Sequence, residues 1–389
     1  MVYLGKSQED LEKSGGYWTA REITQQPAVW PRLQSAIGSN ADAVRGFLGP
    51  LLSRAELRIV LTGAGTSSFV GDCLAPALSR RLGRRVDAVA TTDLVASPES
   101  WLTPAAPTLL VSFARSGNSP ESIAALPLVE QVTQQCHHLI VTCNPAGALY
   151  RQGQNRHNTQ VVLLPDETND RGFAMTSSFT GMLLVAALTF DLIVSAADRP
   201  VALAQWATEM LEGRFALIGG LARSGFERVV YLGSNECKGL AREAALKMLE
   251  LSDGRIVALA ETPLGFRHGP KTILNDKTLV VMFLSNNPYT RRYELDVLNE
   301  LRADRVAGRV VALTGESINS AHSNADSIVV SSATAASDLE LCFPYVVFAQ
   351  ILAFLRSLSL GLRPDVPNAK GTVNRVVQGV SIYPWAPGQ

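Results

Sequence analysis

Segments of this chain recur at a fixed offset. Arg58-Ile59-Val60-Leu61-Thr62-Gly63 is echoed by Arg228-Val229-Val230-Tyr231-Leu232-Gly233, and Thr108-Leu109-Leu110-Val111-Ser112-Phe113 by Thr278-Leu279-Val280-Val281-Met282-Phe283, both 170 residues on. A third pair, Leu139-Ile140-Val141-Thr142 and Val311-Ala312-Leu313-Thr314, keeps nearly the same spacing. Self-similarity on this scale means two copies of one strand-loop-helix unit. The repeated runs are short, apolar and β-branched and are bounded by turn residues, as strands buried in a parallel sheet are. The sequence therefore predicts an α/β chain with two tandem doubly wound parallel-sheet domains, at residues 46–205 and 206–363. Residues 1–45 carry helical signals, with Gln25-Gln26-Pro27 as a break, and read as an N-terminal helical arm. Residues 364–389 are proline-rich and read as an irregular C-terminal tail.

Composition narrows the partners. Thirty-five basic and thirty-five acidic residues cancel, so no broad field favours nucleic acid or an anionic membrane, and binding is expected to be local. The apolar stretch 182–194 is interrupted by Thr189 and Asp191 and is too short to span a bilayer, and the first ten residues lack the apolar core of a signal sequence. A cytoplasmic protein is expected. The five cysteines are scattered without a CxxC pair, which suits reduced thiols, and the five histidines are no better spaced for a metal.

In the first copy, two strands run into turns rich in hydroxyls: Gly63-Ala64-Gly65-Thr66-Ser67-Ser68, and Ser112-Phe113-Ala114-Arg115-Ser116-Gly117-Asn118-Ser119-Pro120. Such turns sit at strand C-terminal ends, where backbone N–H groups and the positive ends of helix dipoles converge on a ligand. Ser119 suits an N-cap and Pro120 the first helical position, which places the hydroxyls of Ser112, Ser116 and Ser119 around a helix start. Turn chemistry alone also enriches Ser, Thr and Gly. Two such loops together favour a phosphorylated small molecule. The second copy has lost most of these hydroxyls, in Gly233-Ser234-Asn235-Glu236 and Leu284-Ser285-Asn286-Asn287-Pro288. One copy is then expected to hold phosphate while the other supplies something else.

Beyond Gly233, Glu243, Lys247 and Glu250 stand at helical spacing on one face, with Ala245, Leu246 and Leu249 expected to fill the other. The charged face is either an exposed salt-bridged stripe or a set of acid–base groups. Downstream, Glu261-Thr262-Pro263-Leu264-Gly265-Phe266-Arg267-His268-Gly269-Pro270-Lys271 wraps one histidine in Gly and Pro. That pattern suits a side chain presented from a fixed loop, and equally a structural loop histidine.

Together these segments resemble the sugar isomerase (SIS) superfamily in its tandem form, most closely the galactosamine-6-phosphate deaminase/isomerase group and more distantly the isomerase half of glucosamine-6-phosphate synthase. The resemblance covers about residues 45–375 and rests on the Gly-Thr-Ser loop at Gly65, the Ser-Gly loop at Ser116, the Glu-x-x-x-Lys-x-x-Glu helix from Glu243 and the Arg-His-Gly-Pro stretch at Arg267. It implies that Gly65, Thr66, Ser67, Ser112, Arg115, Ser116 and Ser119 belong to the sugar-phosphate loops, that Glu250 is the proton-transfer base and that His268 opens the ring. It also implies that Lys370, in Asn368-Ala369-Lys370, matches the tail lysine that in the synthase engages the substrate's carbonyl carbon. Phe173 and Thr176 fall in a further substrate-contacting turn, residues 172–177. Ala114 and Arg115 replace the Ser-Gln pair of the synthase, which exchanges a phosphate hydroxyl for a cation able to fork onto phosphate, and Met175 replaces a hydroxyl residue. Without a glutaminase half or a Cys after Met1, ammonia is expected to be released rather than installed.

The implied reaction converts galactosamine 6-phosphate to tagatose 6-phosphate and ammonia. His268 shifts a proton between ring oxygen and anomeric hydroxyl, and Glu250 carries the C2 proton to C1. Lys247 holds Glu250 ionised or stabilises the enolamine oxygen. No metal or organic cofactor is called for. The alternatives are an aldose–ketose isomerase that does not deaminate, a glucosamine-6-phosphate deaminase and a non-catalytic sugar phosphate sensor. The family builds its sites at domain and subunit junctions, which implies at least a homodimer with His268 donated across a two-fold interface.

Overall fold

The repeated runs are strands. β1 (Arg58–Thr62), β2 (Val86–Ala88), β3 (Thr108–Ala114), β4 (Cys136–Thr142) and β5 (Thr159–Leu163) form one sheet in the order β2-β1-β3-β4-β5. β6 (Arg228–Gly233), β7 (Val257–Glu261), β8 (Thr278–Phe283), β9 (Arg309–Thr314) and β10 (Ser327–Val329) form another in the order β10-β9-β8-β6-β7, which is the same order read from the opposite edge. All pairings in both sheets are parallel. Every residue of the central strands β3 and β8 is buried, as helices on both faces of a doubly wound sheet require. The predicted fold class is borne out. The structure, a computed structural model, describes residues 1–38, 41–193, 198–318, 327–377 and 379–386.

The chain divides into two units. One holds the first sheet and comprises Val29–Asp170, Ser177–Ala196 and Lys370–Gln389; the other holds the second sheet and comprises Met1–Ala28, Arg171–Thr176 and Ala197–Ala369. Near the N-terminus, α1 (Tyr17–Gly38) runs unbroken through Pro27, where the sequence suggested a break. Proline removes the N–H that would have bonded the Ile23 carbonyl. The Gln26 side-chain amide supplies that bond instead, at 3.0 Å. The first turn of α1 is capped from far along the chain by Asp365, whose carboxylate accepts from the N–H groups of Trp18 (3.0 Å) and Thr19 (2.8 Å).

In the unit of the first sheet, α2 (Thr66–Leu82) follows β1 and α3 (Pro120–Val132) follows β3. The apolar stretch 182–194 belongs mostly to α4 (Ser177–Thr189), buried from Ser177 through Leu188, and its last residue lies outside the described residues. Asp170 caps α4, accepting from the N–H groups of Ser177 (3.0 Å) and Ser178 (2.9 Å).

In the other unit, α5 (Glu236–Leu251) follows β6, α6 (Pro288–Asp304) follows β8, and α7 (Asp338–Ser359) closes the domain from a Ser337/Glu340 capping box. α7 has the length and composition to cross a membrane, but 89% of its apolar window is buried inside the protein, which makes it a core helix. The five cysteines are thiols rather than disulfide partners.

Gly63 and Gly233 hold equivalent places in the repeat for a steric reason. A Cβ on Gly63 would meet the Ser67 main chain at 2.6 Å, and one on Gly233 would lie closer still to the Cys237 carbonyl. Each helix folds its first turn back onto the end of the preceding strand. Gly233→Ala should therefore lower the urea-unfolding free energy by about 1–3 kcal/mol, the scale of core overpacking, whereas an unchanged midpoint and slope would show that the contact gives way freely.

Candidate functional site

In the strand order of the first sheet, β1 and β3 flank the switch point, and the loops leaving them meet at its C-terminal edge. Thr62 and Ser112 are register partners there. Gly65, at φ +56°, turns the chain into α2, and Thr66 and Ser67 lie buried in its first turn. β3 continues to Ala114, so Ser112, Phe113 and Ala114, placed in the turn by the sequence reading, are buried strand residues. Ser119 is the N-cap of α3 and Pro120 its first residue, but the Ser119 hydroxyl donates to Ser122 Oγ (2.6 Å) instead of capping the backbone. Ser116 accepts from the Asn118 N–H at 3.3 Å.

Arg115 is only 5% exposed, and its Nη2 donates to the Arg375 carbonyl of the tail at 2.7 Å. Lys370, on the same tail, is exposed. Gly65, Thr66, Ser67, Ser112, Arg115, Ser116 and Ser119 are thus gathered at one sheet edge.

At the matching edge of the second sheet, the chain's own carboxylates occupy the turn after β8. The Ser285 N–H donates to Glu294 (2.7 Å), the Ser285 hydroxyl to Asp338 (2.5 Å) and the Asn286 N–H also to Asp338 (2.8 Å). Burial first, and then repulsion from Asp338, push Glu294 up to about 7, against the Ser285 N–H, the Ser234 hydroxyl and the Arg291 guanidinium. In this repeat the donors of the turn are satisfied by the chain's own carboxylates.

α5 carries its charges inward. Glu243 and Lys247 are fully buried, and Lys247 Nζ lies 3.5 Å from Glu243 Oε1 and 2.5 Å from Glu250 Oε2. Glu250 keeps 22% of its side chain exposed. Leu249, expected inside, is 38% exposed, and Leu246 is only partly covered. Leu240, Ala241, Ala244, Ala245, Met248 and Leu251 make the apolar contacts instead, and the small alanines let the helix pack closely. An exposed salt-bridged stripe is therefore excluded.

His268 stands in the segment after β7, exposed. Its neighbours fasten the segment to α6: Arg267 bonds Glu300 at 2.7 Å, and Lys271 pairs with Glu300 and with Asp304 (2.5 Å). Phe266 packs with Val230, Leu232, Val280 and Met282 and with Val297 and Leu298 of α6. The opposite face of the sheet presents Tyr231 and Phe283, stacked with Tyr345 of α7, the helix against which α5 packs. The elements carrying Glu250 and His268 therefore cover opposite faces of one sheet, and the structure does not bring the two residues together.

Phe173 is half-buried and Thr176 fully buried in a turn held by Glu22, whose carboxylate accepts from the N–H groups of Arg171 (2.5 Å) and Gly172 (3.3 Å). Sequence reasoning missed Glu22, Asp170 and Arg375, whose partners lie 149 or more residues away for Glu22 and 205 or more for Arg375. Among the described residues, no group of three or more His, Cys, Asp or Glu is placed to hold a metal ion.

The SIS domain family model matches residues 51–191. An Escherichia coli protein named D-galactosamine-6-phosphate deaminase AgaS is 46% identical over 377 residues, covering 95% of this chain and 96% of its own length. A protein of the same name from Shewanella sp. (strain ANA-3) is 41% identical over 382 residues, covering 97% and 95%. The crystal structure of tagatose-6-phosphate ketose/aldose isomerase from Escherichia coli matches with a TM-score of 0.89 at 44% identity, covering 95% of this chain and 97% of that one.

Breaking a buried ion pair by removing one partner costs about 3–5 kcal/mol, so Lys247→Met should destabilise on that scale in urea unfolding. Adding Glu243→Gln should recover part of the loss, and strictly additive effects would show that the two charges do not interact.

Proposed function

The chain belongs to the tandem SIS-domain family to which these relatives belong, and on that premise we propose that it converts galactosamine 6-phosphate to tagatose 6-phosphate and ammonia. The observation that carries the proposal is the inward ion chain Glu243–Lys247–Glu250, which fixes one partly exposed carboxylate against a buried ammonium. A base that must serve two adjacent carbons needs that fixed orientation.

In this reading the loops with Gly65, Thr66, Ser67, Arg115, Ser116 and Ser119 hold the phosphate, with Ser112 beneath them, and their binding energy orients carbons remote from the phosphate. Phe173 and Thr176 line the sugar. His268 moves a proton from the anomeric hydroxyl to the ring oxygen and opens the ring. Glu250 takes the C2 proton and returns it to C1, which leaves an iminium at C2. Water adds there, the C–N bond breaks, and ketose phosphate and ammonia leave. Lys247 keeps Glu250 in place and stabilises the enolamine, and Lys370 faces the carbonyl end. None of these steps calls on a metal or organic cofactor. Because Glu250 and His268 lie on elements covering opposite faces of one sheet, His268 serves a site of a second copy, and the working unit is a homodimer or larger, in the cytoplasm.

A second reading, aldose–ketose isomerisation without deamination, is favoured by the name of the Escherichia coli structure and uses the same residues. A coupled ammonia assay separates the two. Ammonia should form from galactosamine 6-phosphate, and faster than from glucosamine 6-phosphate, which differs at one hydroxyl. Interconversion of tagatose 6-phosphate with an aldose without ammonia from either amino sugar would favour the isomerase, and no turnover of any of them a sensor. Glu250→Gln should lower kcat by at least about a hundredfold with KM little changed, the scale of general acid–base help; retained turnover would reduce Glu250 to a structural partner of Lys247.

A further inference from the structure

One face of α1 meets the turn that carries Phe173 and Thr176. Trp18 and Thr19 precede Glu22 by four and three residues, so the three side chains share that face. Glu22 is only 3% exposed, and its carboxylate accepts from two successive N–H groups, that of Arg171 at 2.5 Å and that of Gly172 at 3.3 Å to one oxygen and 3.2 Å to the other. The Arg171 guanidinium lies over the Trp18 ring, its Cζ 4.7 Å from the centroid, in a cation–π contact. Gly172 permits the close approach, because a Cβ there would lie 2.8 Å from Thr19 Oγ1 and 3.0 Å from Glu22 Oε2. This end of α1 is itself held: the Asp365 carboxylate accepts from the Trp18 and Thr19 N–H groups and from the Thr19 hydroxyl (2.7 Å).

The residue type at 22 matters for the turn's main chain. A carboxylate offers two acceptor oxygens and no donor, whereas an amide of the same size would turn an NH2 group towards one of the N–H groups or give up one of the bonds. Hydrogen bonds to a charged acceptor are also about twice as strong as those between neutral groups. The place of the 171–172 main chain in turn sets the place of Phe173 and Thr176. Proton transfer between adjacent carbons is sensitive to such placement, since a displacement of about 1 Å can cost about a hundredfold in rate.

We propose that Glu22 is a positioning residue for the reaction: together with Trp18 and Gly172 it clamps the 171–176 turn and so holds Phe173 and Thr176 in register with the sugar. Glu22 acts through the turn and does not touch substrate. The clamp rests on the reading above that Phe173 and Thr176 line the sugar, and the experiment separates the two.

The full-length protein is followed by amide hydrogen exchange with mass spectrometry and by steady-state kinetics with galactosamine 6-phosphate. Glu22→Gln keeps the size of the side chain and removes the charge, while Glu22→Asp keeps the charge and shortens the side chain. In Glu22→Gln the Arg171 and Gly172 amides should exchange at least about tenfold faster, the scale of one hydrogen bond to a charged group. Its kcat should fall by about ten- to a hundredfold while KM moves little. Glu22→Asp should recover part of both losses; a role in filling space predicts the reverse order, and finding Glu22→Gln the milder variant would overturn the clamp. Gly172→Ala leaves Glu22 intact but pushes the turn off α1, so it should give the same pair of effects, and it keeps the test open if Glu22→Gln does not fold. Faster exchange with native kcat overturns the positioning role. Phe173→Ala tests the premise: native kinetics in that variant overturns the reading that the turn lines the sugar, and the clamp's role with it, whereas a slow Phe173→Ala beside a native Glu22→Gln overturns the clamp alone.

Discussion

Burying Lys247 places a demand on the helix that carries it. An ammonium cut off from water costs several kcal/mol unless carboxylates surround it, and α5 meets that demand from its own sequence, one turn on either side. The consequence reaches beyond the ion chain. With the charged face inside, Leu249 is left outside, and the buried apolar positions of α5 fall to alanines, Leu240, Met248 and Leu251. Glu250, the outermost of the three, is held by one oxygen against a fixed cation while part of its side chain stays accessible.

The two sheets share one strand order and differ at their switch points. In the first, Gly65 and Gly117 take positive φ and Ser and Thr residues stand around two helix starts. In the second, Glu294 and Asp338 reach into the corresponding turn and accept its N–H groups and hydroxyl. An anion approaching there would meet carboxylates already bonded to the available donors.

The repeat made the architecture legible, because strands buried on both faces must be apolar throughout and the helices after them must start at fixed distances. Glycine at 63 and 233 marked the same close approach in both copies. The Glu243, Lys247 and Glu250 spacing was also legible, but which face went inside was not. A 3.6-residue period gives the angle between residues, not the direction of the core, and alanine satisfies either side. Pro27 misled for a local reason, since the bond it removes is restored by a side chain one residue earlier. Asp365 on α1, Glu22 on the 171–172 turn and Arg375 on Asp170 were illegible because each bond joins residues far apart in sequence.

The proposed chemistry asks Glu250 and His268 to serve one substrate, although their elements cover opposite faces of one sheet. Two copies of the chain reconcile these facts. The direct test mixes an inactive Glu250→Gln protein with an inactive His268→Asn protein under subunit exchange and assays the isolated heterodimers. Part of the activity should return, because half of the shared sites would then carry both native side chains. Heterodimers of verified composition that stay inactive would contradict the shared site and place both residues in the site of a single chain.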